Sequence, residues 1–269
     1  MNQAAIVTLA VGEPHLAYWR KYCERSWNEY AQKCGYDLIV VTEPLDRSAR
    51  AAGRSPAWQK CLVLSQEFSA KYRQVISLDC DVAINAQAAP PITDRLPLER
   101  VSGVISGSHI HEDLLPVLVQ RMFGQGDPHE RGAGRWQEMQ RVPYARYGLN
   151  SLDRVVQTGV LVASPTHHRA VFESVYLADY SYTSRCYEQI PLSHTLLTKG
   201  LIEPIDTRFN SVFHESMRVH YPYLLNKQLP AYDLLASCAV QTQFANNFFL
   251  HFAYDRDFAR YLPPQVIAQ

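Results

Sequence analysis

The 269-residue chain lacks a net charge: Lys+Arg and Asp+Glu both number 26. With no field of one sign it is not drawn as a whole to nucleic acid or anionic lipid, and any contact with a polyanion has to be local. It also lacks paired cysteines. Cys23, Cys34, Cys61, Cys80, Cys186 and Cys238 form no Cys-x-x-Cys and no close framework, which argues against a zinc ribbon or a disulfide scaffold and for reduced thiols, most of them in the core. No apolar run approaches the roughly 20 residues that span a bilayer. The opening Met1-Asn-Gln-Ala-Ala-Ile-Val-Thr8 has no basic segment ahead of an apolar one. The expected setting is therefore the cytoplasm, with peripheral attachment at the inner face of a membrane as the variant. Glycine is scarce, 12 in all, and Leu9-Ala-Val-Gly12-Glu-Pro14 is not the Gly-rich phosphate loop of a nucleotidyltransferase. Repeats, low-complexity tracts and an interdomain linker are missing too, and the length fits one domain with a full core.

What is present is an apolar run broken by two acids, Gln74-Val-Ile-Ser-Leu-Asp79-Cys-Asp81-Val-Ala-Ile84. Side chains alternate along a strand, so Asp79 and Asp81 project to the same side. Two like charges there repel and lose solvation, which is tolerable with a cation between them or with plentiful water. A divalent ion, magnesium or manganese, satisfies the first condition and would be completed by substrate phosphates. A solvated turn satisfies the second. The buried strand ahead of the acids favours the ion, because open α/β sheets bind ligands at the carboxyl ends of their strands.

Elements around this strand alternate. Ala4 to Ala10 reads as a strand, and Gly12-Glu-Pro14 opens a helix whose Leu16, Trp19, Cys23, Trp27, Tyr30 and Cys34 share one face. Gly35 ends it, and Asp37 to Val41 is a second strand. A second amphipathic helix is expected through Trp58, Cys61, Leu62, Phe68 and Tyr72. Further strands are expected at Val101 to Ser106 and Val155 to Val162, with helices after Ser164-Pro165 and around Leu192 to Leu197. The Gly-rich stretch from Gly124 to Gly148 carries Arg131, Arg135, Trp136, Tyr144 and Arg146 and reads as a mobile loop, either an acceptor-binding flap or plain surface. The expected fold class is α/β, with a mostly parallel central sheet flanked by helices and a small second sheet.

Several segments, taken in order, resemble one family. To Gln74–Ile84 are added Trp58-Gln-Lys60, Val156-Gln157-Thr-Gly159-Val-Leu161, Glu188-Gln189-x-x-Leu192, Arg208-Phe209-Asn210 and His251-Phe252. Together, over roughly residues 4 to 256, they resemble the nucleotide-sugar glycosyltransferases of GT-A (Rossmann-like) fold, in the retaining branch that includes glycogenin and the lipopolysaccharide galactosyltransferases. The resemblance implies a single GT-A domain over 1–269, with a nucleotide-binding half at 1–106 and an acceptor-binding half at 107–269. It implies transfer of a hexose from a uridine diphosphate sugar, glucose or galactose, to a saccharide or other hydroxyl acceptor, with retention and with Mn2+ or Mg2+ as cofactor. A sugar nucleotidyltransferase and a catalytically degenerate glycan-binding subunit are the alternatives.

The residues follow from that frame. Asp79, Asp81 and His251 would ligate the metal, His251 having a hydrogen-bonded core histidine as its alternative reading. Lys60 would meet a phosphate oxygen, or else be a solvated helix lysine. Thr8, Leu9 and Ala10 would wall the nucleoside through backbone groups and one hydroxyl, with Glu13 as a further candidate for the ribose. Gln157 stands for the family's asparagine at the sugar. Gln189 would lie beneath the anomeric carbon, and Glu188, in place of the usual aspartate, would hold sugar hydroxyls or stabilise the oxocarbenium-like centre. The chain departs from the family at its C-terminal His-x-x-Gly-x-x-Lys-Pro-Trp: Tyr254 stands at the glycine and the diphosphate lysine is missing, leaving Arg256 as the nearby substitute.

Overall fold

The computed structural model describes residues 3–123, 143–180 and 187–267. A six-stranded sheet runs in the order β2-β1-β3-β6-β5-β7, from β1 (Ala4–Leu9), β2 (Asp37–Val41), β3 (Gln74–Leu78), β5 (Val101–Ile105), β6 (Val156–Ala163) and β7 (Ile202–Pro204). Only β6 runs against the rest, pairing antiparallel with both β3 and β5; the other pairings are parallel. All eight residues of β6 are buried, as expected of a strand covered on both faces.

The two faces carry separate cores. Trp58, Tyr72, Tyr144, Phe172 and Leu192 fill one; Trp19, Trp27, Tyr30, Ile76 and Phe249 fill the other. Gly12, at φ 88, and Pro14 open α1 (Glu13–Tyr22), and Gly35, left-handed at φ 68, closes α2 (Glu24–Cys34). The expected single helix is thus two, broken at Cys23 (φ −123). The apolar stripe survives the break because Cys23 turns its thiol to the Cys80 carbonyl and Trp27 donates its indole N–H to Val82 O at 2.7 Å. Both anchors tie the helices to the acidic segment.

The second amphipathic helix does not form. In its place stand a ten-residue 3-10 helix, Pro56–Ser65, and a single turn, Glu67–Ala70. Trp58, Gln59, Lys60, Cys61, Val63 and Leu64 are all buried, a nearly continuous run rather than the one-face stripe of an amphipathic α-helix. Buried Gln59 binds the backbone of Leu45 and Asp46, closing the preceding turn-rich segment over it.

A small sheet, β4-β9-β8, packs beside the main one: β4 (Val82–Ile84), β9 (Phe249–His251) and β8 (Ser211–Val212). Helices α3 (Leu115–Phe123), α4 (Pro165–Leu177), α5 (Gln189–Thr198), α6 (Phe213–His220) and α7 (Tyr232–Asn246) complete the layers. The hydroxyl of Ser164 does not cap α4; His168 Nδ1 accepts the Ser164 N–H instead. Cys23, Cys34, Cys61, Cys80 and Cys238 are free thiols, and Cys186 lies outside the described residues. Among the described residues, no helix is long and apolar enough to cross a membrane.

Glu215, on α6, is buried with Oε2 unpartnered, 3.6 Å from His109 Nε2. Burial raises its carboxyl to about 7 and lowers the His109 imidazole to about 4. Sign follows from proton binding: between about 4.5 and about 7 the folded state holds a proton on Glu215 that the unfolded chain has released, so this group's stabilisation is full below about 4.5 and is lost as pH rises through about 7. His109 works in the opposite sense over an overlapping range. The Glu215→Gln variant isolates the acid: relative to the parent it should gain on the order of 3 kcal/mol between pH 4.5 and 8 in urea unfolding, and a constant difference across that range would refute the assignment.

Candidate active site

The two acids lie in the turn between β3 and β4, clamped on both sides. Asp79 N–H continues the sheet ladder to Gly159 O at 2.9 Å, and Asp81 O accepts from Phe252 N–H at 3.0 Å. These bonds bring β3, β6 and β9 together, and β9 delivers His251. Nε2 of His251 stands 3.3 Å from Asp81 Oδ1 and 3.8 Å from Asp79 Oδ2. One ligand atom from each of the three lies within 4.8 Å of the others.

The ring is oriented from behind. Asn210 donates from Nδ2 to Gln157 O at 3.3 Å, which turns its Oδ1 to His251 Nδ1 at 3.0 Å. Nδ1 therefore carries the proton, and in the neutral ring the Nε2 lone pair points at two carboxylates. Lone pairs facing one another require a cation between them, a proton or a metal. Asp81 Oδ1 is itself buried and lacks a hydrogen-bond donor. Two carboxylate oxygens and one imidazole nitrogen fit a divalent ion, manganese better than magnesium because of the nitrogen. Burial works to raise the Asp81 carboxyl, but a cation on the His251 side, here the protonated ring, and Arg256 outweigh it and hold the group well below the usual carboxylate range.

Fixed cations flank the acids. Lys60 Nζ bonds Asp79 Oδ1 at 2.6 Å, Glu188 Oε1 at 3.0 Å and Thr158 O at 3.0 Å. Its three N–H groups are thus engaged, and though burial works against its charge, Asp79 and Glu188 keep its ammonium above the ordinary lysine range. On the opposite side Arg256 Nε donates to Asp81 Oδ2 at 2.8 Å, and another guanidinium nitrogen lies 3.0 Å from His15 Nδ1. His15 is held below its usual value by burial and by Arg256, which keeps the imidazole neutral and able to accept that bond. With Asp79, Asp81 and Glu188 ionised, three negative charges face two permanent positive ones, so a divalent ion would turn a local charge of minus one into plus one.

All of this opens on a cleft of about 480 Å³. Its walls include Lys60, Asp79, Asp81, Gln157, Glu188, Gln189, His251 and Arg256, so the eight residues picked out from the sequence for metal, phosphate and sugar converge. Thr8 and Ala10 do not reach it: both are buried, and β1 meets the cleft through Leu9, with Val11 and His15 beyond. Glu188 is 2% exposed and bonded to Lys60 and to Thr158 Oγ1, and burial raises its carboxyl despite Lys60. Tyr144 belongs to the core rather than to an acceptor surface, donating to Arg154 O. Arg131, Arg135 and Trp136 lie outside the described residues. Sequence reasoning gave no role to His15, Thr158 or Asn210; for Asn210 the signal was its place in the Arg208-Phe209-Asn210 segment, one residue before β8.

Comparison with known proteins begins with two negatives: no protein-family model matches the chain, and no curated protein matches it in sequence. Solved structures do match. One is the crystal structure of a glycosyltransferase involved in the glycosylation of the major capsid of PBCV-1, at 14% identity and a TM-score of 0.55, covering 96% of this chain and 97% of that one. Another is the apo structure of WbbM, a bifunctional glycosyltransferase, at 12% identity and 0.52, covering 94% of this chain and 46% of that one. The chain therefore has the GT-A-like fold of glycosyltransferases, with an Asp-x-Asp turn where the main and second sheets meet.

Gly159 exposes the geometry to a test. A Cβ there would stand 2.3 Å from His251 Cε1 and 2.6 Å from Nδ1, so the ring must leave the acids. Gly159→Ala should weaken Mn2+ binding by at least about tenfold in isothermal titration while far-UV circular dichroism stays native. Unchanged affinity would remove His251 from the ligand set.

Proposed function

We propose that the protein is a metal-dependent, retaining glycosyltransferase that moves a hexose from a nucleotide diphosphate sugar, UDP-glucose or UDP-galactose, to a hydroxyl acceptor. The observation that carries this reading is the convergence of Asp79, Asp81 and the His251 Nε2 lone pair in one cleft. The GT-A-like fold, shared with a solved glycosyltransferase, supports the same reading.

Residues 1–106 would supply the donor side and residues 107–269 the acceptor side. Asp79, Asp81 and His251 would hold the ion, whose positive charge stabilises the departing diphosphate as the glycosidic bond lengthens. Arg256 takes the place of the missing family lysine: its guanidinium sits half-exposed on Asp81, where it can turn to a phosphate oxygen. Lys60 acts one layer further in than its sequence suggests. With its donors taken by Asp79, Glu188 and Thr158, it fixes the orientation of Asp79 and offsets the charge of Glu188.

Gln189, half-buried at the start of α5, lines the cleft, as does Gln157. The two amides would bind sugar hydroxyls, with Gln189 beneath the anomeric carbon. Glu188 would contribute negative charge under the oxocarbenium-like centre while tied to Lys60 and Thr158, and not as a mobile nucleophile.

Purified protein incubated with UDP-galactose or UDP-glucose and Mn2+ should release UDP and free hexose slowly, without pyrophosphate. EDTA and Asp81→Asn should each reduce this by about 100-fold or more, whereas Glu188→Gln and Gln189→Ala should slow turnover more than they weaken donor binding. Release indifferent to EDTA and to the Asp81 substitution would contradict the proposal.

A further inference from the structure

Among the described residues, four other than glycine adopt a left-handed backbone: Arg95, Tyr187, Ala231 and Tyr254. Two of the four are tyrosines, and both line the cleft that holds the acidic trio. Both are also among the few large apolar side chains left open to solvent, Tyr187 at 40% and Tyr254 at 61% exposed. A bulky residue at φ 45 or φ 69 is strained, and glycine would occupy either position without strain. Such strain persists where surrounding structure over-determines it, and it clusters at sites of function.

Each tyrosine is held in that way. Tyr187 O accepts from the hydroxyl of Tyr147, whose side chain is buried, and the chain then enters Glu188 and Gln189. Beyond Tyr254, Asp255 is gripped by His214 and Arg218, and the His214 ring centroid lies 5.1 Å from that of Tyr254. The two left-handed tyrosines thus line the cleft, while the residues directly after them, Glu188 and Asp255, are bound to charged partners.

We propose that Tyr187 and Tyr254 are the acceptor platform, stacking their rings on the C–H face of a pyranose as its hydroxyls reach the polar walls. A flat, exposed aromatic beside a polar, charged cleft matches a sugar, which has an apolar face and a hydroxylated rim. The proposal rests on the glycosyl-transfer reading for the word acceptor, though not for the binding itself. It moves the acceptor contacts from the Gly-rich stretch to the two chain segments that flank the acids.

Saturation-transfer NMR with methyl glucoside, methyl galactoside and lactose as probes provides the test, beside the thermal shift produced by Mn2+ and UDP. Wild-type protein should saturate protons of one pyranose face. Tyr187→Ala and Tyr254→Ala should weaken glycoside binding about tenfold and leave the Mn2+–UDP shift in place. Tyr254→Gly should lose the glycoside equally while melting at or above the wild-type temperature, a split that a merely structural tyrosine would not give. Absence of glycoside contacts in wild type, or contacts unchanged in the variants, overturns the proposal, and a Mn2+–UDP shift lost with the tyrosines reassigns the rings to the base and overturns it too. Tyrosine-dependent glycoside binding in a wild-type protein that gives no Mn2+–UDP shift would sink the donor reading and leave this one standing.

Discussion

Repulsion between two carboxylates on one short turn is the constraint to which the rest of the cleft answers. Two unit charges about 4 Å apart interact by about 4 kcal/mol at the effective dielectric of a protein surface, a large share of the stability of an ordinary domain. The turn cannot relax, because its backbone is bonded to β6 at one end and runs into β9 at the other. Compensation therefore comes from side chains: Lys60 on Asp79, Arg256 on Asp81, and between them an imidazole whose proton faces the other way. What the protein leaves uncompensated, one buried oxygen and one lone pair, has the geometry and charge of a cation site.

This arrangement explains the second sheet. Its strands back a core of their own, with Ala83 and Leu250 packed among Phe213, Val240 and Phe252, and their register puts His251 opposite Val82, the residue directly after the acids. Asn210, directly before β8, then falls behind the imidazole and fixes its tautomer. Gly159 completes the fit from β6, since any side chain there would occupy the space of the ring. Three segments far apart in the chain thus meet at one nitrogen, and each supplies something different: position, proton placement and room.

Much of this was legible in the sequence because the elements that carry it obey local rules. The acidic strand announced itself as an apolar run ending in alternate acids, Gly35 ended α2 as a left-handed cap, and the stripe from Leu16 to Cys34 lay on one face. Local rules fail where burial is complete. Most of Pro56–Ser65 is buried, polar Gln59 and Lys60 included, so its apolar spacing misreads as a one-faced helix, and the break at Cys23 goes with bonds to distant carbonyls at Cys80 and Val82 that no local pattern encodes. The same holds in the cleft. Asp79, Asp81 and His251, which the structure brings together, were picked out by side-chain type, whereas Thr158 contributes a carbonyl, His15 an acceptor nitrogen and Lys60 bonds to two acids and one carbonyl, all arrangements that depend on neighbours. Thr8, Leu9 and Ala10 were placed by analogy with strand ends in general, and of the three only Leu9 lines the cleft, with Val11 beyond it.

The claim that two acids and one imidazole hold a divalent ion is tested most directly by pulsed electron paramagnetic resonance of Mn2+ bound to the protein in the presence of UDP. The account predicts one bound Mn2+ per chain, with hyperfine coupling to a single histidine nitrogen that disappears in His251→Ala. Mn2+ bound with no nitrogen coupling, or UDP bound equally well with no metal present, would contradict it.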